Sequence, residues 1–134
     1  TTALPLDDTI PLNIEGTEFM TQAITPVSAA NVLEINAMLH LTHSAVTTMS
    51  AALFRSDAPD TNAYAAARQQ LVAAACVAQI EINHRMVAST VTSVTFSVRA
   101  GAATGATTTF NGAAGTRQLG GVLNSYIECK ELMT

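Results

Sequence analysis

Thr92 to Met133 reads TSVTFSVRAGAATGATTTFNGAAGTRQLGGVLNSYIECKELM, and the fold follows from how its apolar residues are spaced. Val94, Phe96 and Val98 alternate with Thr95, Ser97 and Arg99, a period of two, which is the period of a strand with one face buried. A second run ends at Phe110 and meets Asn111-Gly112, a pair suited to the positive φ angles of a tight hairpin turn. Gly120-Gly121 interrupts the chain again before a last alternating run. These signals predict a β-meander in the C-terminal third, placed at the centre of the sheet system.

Moving toward the N-terminus, Val32 to Thr42 repeats the pattern. Leu33, Ile35, Ala37, Leu39 and Leu41 occupy the odd positions, with Glu34, Asn36, His40 and Thr42 among the even ones. One face is expected to meet the core and the other water or a partner subunit. Val46 to Arg55 is mostly apolar and closes at the loop Ser56-Asp57-Ala58-Pro59-Asp60. Asn62 to Ala78 is rich in alanine and reads locally as helix. It nevertheless leads into Ile80, Ile82, His84 and Met86, which alternate with Gln79, Glu81, Asn83 and Arg85. The favoured reading is a loop followed by a strand from Val72 to Met86, the alternative being a short helical turn at Tyr64 to Gln69. Phe19 to Thr25 alternates weakly. Residues 1–18 read as a Pro-punctuated arm with one short strand at Thr9 to Ile14, and residues 19–134 as a single domain. About eight strands with regular turn signals predict an all-β antiparallel sandwich, of the jelly-roll kind.

Composition bounds the function. The 134 residues are 49% hydrophobic but only 12% charged, about half the usual share for a soluble domain. Apolar surface with few charges to cover it points to self-association. Six basic residues scattered singly and a net charge of −4 argue against nucleic acid as a partner. No apolar run approaches the ~18 residues a membrane-spanning helix needs, so membrane insertion is not expected. The first residue is Thr, which suggests a processed product or a fragment.

Chemistry is sparse. There is no G-x-S-x-G elbow, and Cys76 and Cys129 lack a reactive local context. They are expected to be buried free thiols, with a bridge between them left open. Asp57 and Asp60 belong to a turn, while Glu128 and Glu131 fall on opposite faces of the last strand. The glycine-rich pieces do not lead into a helix, as a phosphate loop would. His40 and His43 project from opposite faces of one strand, and Asp7-Asp8 suits a solvated turn, so neither a metal nor another cofactor is expected. Tyr126, Glu128 and Lys130 share one face of the last strand and are the candidate subunit interface. If the chain recognises a cell-surface glycan, hydrogen-bonding loops with an aromatic platform are expected, and Tyr64 with Asn62, Asp57 and Asp60 is the nearest match.

Several spaced pieces taken in order resemble the C-terminal domain of bacteriophage tail-fibre and tail-spike-type structural proteins, a jelly roll similar to the tumour-necrosis-factor and complement heads. They are DDTIPLNIEGTE (7–18), ITPVSAANVLEI (24–35), AALFR (51–55), FSVRAG (96–101), FNGAAGTRQLGGV (110–122) and SYIECKEL (125–132). The chain departs from the likeness in its alanine-rich middle. The resemblance implies a non-enzymatic homotrimer in the virion, at the distal end of a fibre beside other virion proteins. Its role would be trimerisation and contact with a bacterial surface glycan or protein. A jelly roll serving only assembly or capsid decoration is the alternative. A glycan hydrolase or esterase would need a site that the sequence does not display.

Overall fold

The computed structural model describes residues 2–134. Its strands are β1 (Thr17–Ile24), β2 (Val32–His43), β3 (Thr48–Arg55), β4 (Ala65–Gln70), β5 (Val77–Val87), β6 (Val94–Ala102), β7 (Thr108–Phe110), β8 (Gly112–Ala113), β9 (Thr116–Arg117) and β10 (Tyr126–Leu132). A single 3₁₀ turn at Leu119–Gly121 is the only helical piece among the described residues. The fold is all-β, two antiparallel sheets packed face to face. One sheet runs β1-β6-β3-β4, and the other β10-β2-β5 with β7 also pairing β2.

Three of the pairs are nested. β3 and β4 form the inner hairpin (Thr48↔Gln70), β2 and β5 the next pair out (Val32↔Val87), and β1 and β6 the one beyond (Ile24↔Val94). Successive pairs fall on alternate sheets, as if one long hairpin had been folded over itself. The alternation anticipated in β2 and β6 is what fills the space between the sheets. Leu33, Ile35, Leu39 and Leu41 of β2 meet Val94, Phe96 and Val98 of β6 and Met49 and Leu53 of β3, all fully buried. Strand β3 is buried along its whole length because its second face is covered too. There the arm crosses the outside of the sheet: Leu4 is fully buried against Ala52 and Phe54, and its N–H bonds Ala102 O at 3.0 Å. Gly101 permits that crossing, since a Cβ there would stand 2.7 Å from Thr2 O.

Four expectations need correction. The C-terminal third is not a meander: β6 lies between β1 and β3, whereas β7 and β10 pair with β2 in the opposite sheet. Here β6, β7 and β10 follow one another in sequence but not in a ladder, and only the short β8 and β9 pair as consecutive strands among the described residues of this third. The hairpin turn is also displaced. Asn111 does have positive φ, but Gly112 already opens β8, and the tight turn joining β8 to β9 is Ala114-Gly115, both at positive φ. The arm has no strand at Thr9–Ile14, only a single bridge from Leu12 to Asn62, and β1 starts at Thr17, two residues inside the expected arm.

The fourth correction is the alanine-rich middle. In place of a loop and one strand from Val72, Ala65–Gln70 is the edge strand β4, residues 71–76 turn, and β5 begins at Val77. Helix propensity loses because the small side chains of Ala65 and Ala67 fit against β3 beneath the other sheet, a packing gain that local sequence does not report.

The open sides of the sandwich are stitched by side chains. Between β4 and β5, Gln79 N–H donates to Gln69 Oε1 at 2.8 Å, and the Tyr64 and His84 rings stand 6.1 Å apart. On the other side Glu131 accepts from the N–H groups of Val27 and Ser28 and from Asn31 Nδ2 at 2.7 Å. Those donors, Val27 first, hold its carboxyl below the usual range. At one end Arg55 is almost wholly buried, gripping Asp57 through Nε and Nη2 and donating to Ala88 O at 2.7 Å.

Candidate functional site

The outer face of β10-β2-β5 is open from Val32 to Met38, while at its far end Thr42 is buried and donates to Gly112 O at 2.8 Å; along the open stretch the register lays the side chains out in rows. Lys130, Glu34 and Arg85 stand abreast, then Glu128, Asn36 and Asn83, then Tyr126, Met38 and Glu81. Arg85 Nε donates to Glu34 Oε2 at 2.7 Å, Asn36 Nδ2 donates to Oε1 at 3.3 Å, and Lys130 pairs with Glu128 at 2.9 Å. The Arg85 hydrogen bond is the main reason the Glu34 carboxyl is held low, and the one to Glu128 the main reason the Lys130 ammonium is held high. Exposed pairs of this kind add little to stability. Their consequence is that the face neutralises most of its own charge, so another surface can cover it without stranding an ion. Exposed apolar groups go with the rows, Tyr126 within the third and Leu132, Val87 and Met133 beyond the first. A shallow hollow of about 370 Å³ opens beside Glu34, Asn36, Asn83, His84 and Arg85.

All three candidate interface residues, Tyr126, Glu128 and Lys130, therefore lie on this face. Glu34, Asn36, Asn83 and Arg85 join them. The signal for these four was the polar half of the alternation in β2 and β5; the missing fact was that the two strands pair.

The four candidate receptor residues do not form one cluster. Asp57 is held by Arg55 at the end of the sandwich. Asp60 takes the Asn62 N–H at 3.0 Å and its Nδ2 at 3.2 Å, a local turn that the Leu12–Asn62 bridge ties to the arm. Tyr64 alone faces a cleft. It lines a hollow of about 430 Å³ with Asp7, Asp8, Thr9, Ile10 and Pro11 of the arm. Asp7 and Asp8, expected in a solvated turn, come to Tyr64 only through tertiary folding, because the residues are more than fifty positions apart in sequence.

Among the described residues no group of three His, Cys, Asp or Glu side chains converges to hold a metal ion. His43 is buried, with Nδ1 3.2 Å from both the N–H and the carbonyl of Ala45, while His40 is half-exposed on the other face. Both cysteines are free thiols, and each is half-buried where full burial was expected. Burial, with a smaller contribution from Glu128, raises the Cys129 thiol from 9.0 to about 11. Since the thiolate is the nucleophile, and a thiolate of higher pKa is intrinsically the more reactive, Cys129 in a Cys76→Ser variant is expected to react with a neutral disulfide reagent about tenfold more slowly in the folded protein than in denaturant at pH 8. Equal rates would show that the thiol is not shielded.

No protein-family model matches this sequence, and no curated protein matches it.

Proposed function

We propose that the chain is the trimeric head of a bacteriophage tail fibre or similar virion appendage, a non-enzymatic module that joins three copies and attaches to a host receptor. The observation that carries this reading is the bare, self-neutralised face of β10-β2-β5 on a chain with so few charges. A heterologous contact that closes on itself after three steps makes a ring and removes such a face from water.

The strand order supports the jelly-roll likeness from which the trimer was inferred. In a roll of eight strands made by folding one long hairpin, the sheets run 1-8-3-6 and 2-7-4-5. With β1 as the second strand and β10 as the eighth, the observed sheets read 2-7-4-5 and 8-3-6. The place of the first strand, beside β10, is empty among the described residues because the arm crosses the opposite sheet instead.

Two measurements test the reading. Lys130→Glu is expected to weaken association of the copies, since it reverses the one ammonium in its row and sets three carboxylates close together. An oligomer indifferent to Lys130→Glu and to Tyr126→Ala would place the contact elsewhere. For attachment, the labelled protein is incubated with susceptible bacteria and free protein is used to block phage adsorption. Binding to no susceptible strain would favour a role in assembly or capsid decoration alone.

A further inference from the structure

We propose that the groove between the N-terminal arm and strand β4 binds a carboxylated hexose, with the sugar ring toward Tyr64 and its carboxylate toward Arg68 and Ser50. This deepens the attachment reading above by naming the site and the ligand class, and it rests on that reading for its biological meaning.

Two adjoining hollows make the groove. The first, of about 430 Å³, runs from Tyr64 past Ala65 and Ala66, with Asp7, Asp8 and Thr9 opposite. The second, of about 340 Å³, continues past Ala66, Ala67 and Arg68 to Ser50, under Leu4, Pro5 and Leu6. Asp7, Thr9, Pro11 and Ala66 border both. Each is of the size that single ligand units occupy.

The lining has the chemistry of a sugar site. Alanines give a floor low enough for a ring to lie on the sheet, and Tyr64 offers an aromatic face at one end. Asp7 Oδ1 already accepts from the Thr9 N–H and hydroxyl, which fixes the carboxylate and leaves Oδ2 for a ligand hydroxyl. At the other end Arg68 is exposed and has no carboxylate within ion-pair distance among the described residues, unlike Arg55, Arg85 and Arg99. Its Cα partner across the ladder is Ser50, which is 7% exposed and whose Oγ has no hydrogen-bond partner. A buried hydroxyl left unpaired is costly, and one lining a cleft beside an unpaired guanidinium is a donor pair suited to a carboxylate. Asp7 and Asp8 would repel a densely charged polyanion, so the ligand has a single carboxylate at the Arg68 end and hydroxyls elsewhere.

Amide chemical shifts of the protein during titration with methyl β-D-glucuronide, and separately with methyl β-D-glucoside, test the assignment. The glucuronide is expected to shift residues 4–11 and 64–68, and the glucoside to bind at least about tenfold more weakly, the worth of one charge-assisted contact. Arg68→Gln, on an exposed side chain, is expected to abolish that preference. Ser50→Ala is expected to weaken glucuronide binding severalfold without lowering the melting temperature, because the hydroxyl it removes has no partner. Equal binding of the two sugars, shifts confined to other residues, or none up to the solubility limit would each overturn the proposal. None of these outcomes depends on whether the protein trimerises or adsorbs to cells, so the site and the attachment reading fail separately.

Discussion

Phe96→Ala is expected to lower the unfolding free energy by about 3–5 kcal/mol, and with it the melting temperature by roughly 10–15 °C. Phe96 is the largest fully buried side chain, on a strand hydrogen-bonded on both sides, with the Arg55 guanidinium 5.9 Å from the ring centroid. Close packing lets the surroundings relax only partly, so a cavity term adds to the lost burial. Ser97→Ala, one residue along and facing outward, is expected to change stability by less than about 0.5 kcal/mol. Denaturant melts of both variants measure the contrast. A small effect at position 96, or equal effects at both, would mean that the strand's faces are assigned the wrong way round.

The second large effect is expected at the arm. Leu4→Asp puts a carboxylate where the side chain is fully buried between Ala52 and Phe54. Burying an unpaired charge costs far more than the roughly 2–3 kcal/mol that burial of one leucine contributes, so the arm should leave the sheet rather than carry the charge inside. The loss of stability is therefore capped near what the arm contributes, about 2–4 kcal/mol. Limited proteolysis is expected to cut within residues 5–15 of the variant and to spare that segment in the wild type. An arm that stays protected would show that Leu4 does not anchor it.

That arm also marks where the sequence stops being legible. Alternation in β2, β5, β6 and β10 could be read directly, because each has one face on the core and the other exposed or lightly covered. Strand β3 breaks the pattern with Ala51, Ala52, Leu53 and Phe54 in succession, since the arm covers its second face. Only knowledge of that layer turns the run into a strand. For β4 the signal pointed the wrong way: alanine favours helix locally, and its small volume mattered only once β3 and the opposite sheet were in place. Of the Asn-Gly pair only Asn111 has positive φ, and the tight turn lies three residues further on, at Ala114-Gly115. Pairing partners were the deepest omission, because β6 and β10 look like neighbours in a meander and belong to different sheets.

The candidate sites divide the same way. Tyr126, Glu128 and Lys130 could be assigned to one face from period two alone, and the face holds together in three dimensions. Asp57, Asp60, Asn62 and Tyr64 were grouped by closeness in sequence, whereas folding hands Asp57 to Arg55 and Tyr64 to the arm. Arg68 and Ser50 lay eighteen positions apart with no motif to join them, and only the β3–β4 ladder sets them side by side.

The central claim is that the outer face of β10-β2-β5 is completed by other copies of the chain, and sedimentation equilibrium of the native protein at micromolar concentration tests it most directly. A mass three times the 13.9 kDa of one chain is the expected result. A single species of 13.9 kDa across the concentration range would contradict it.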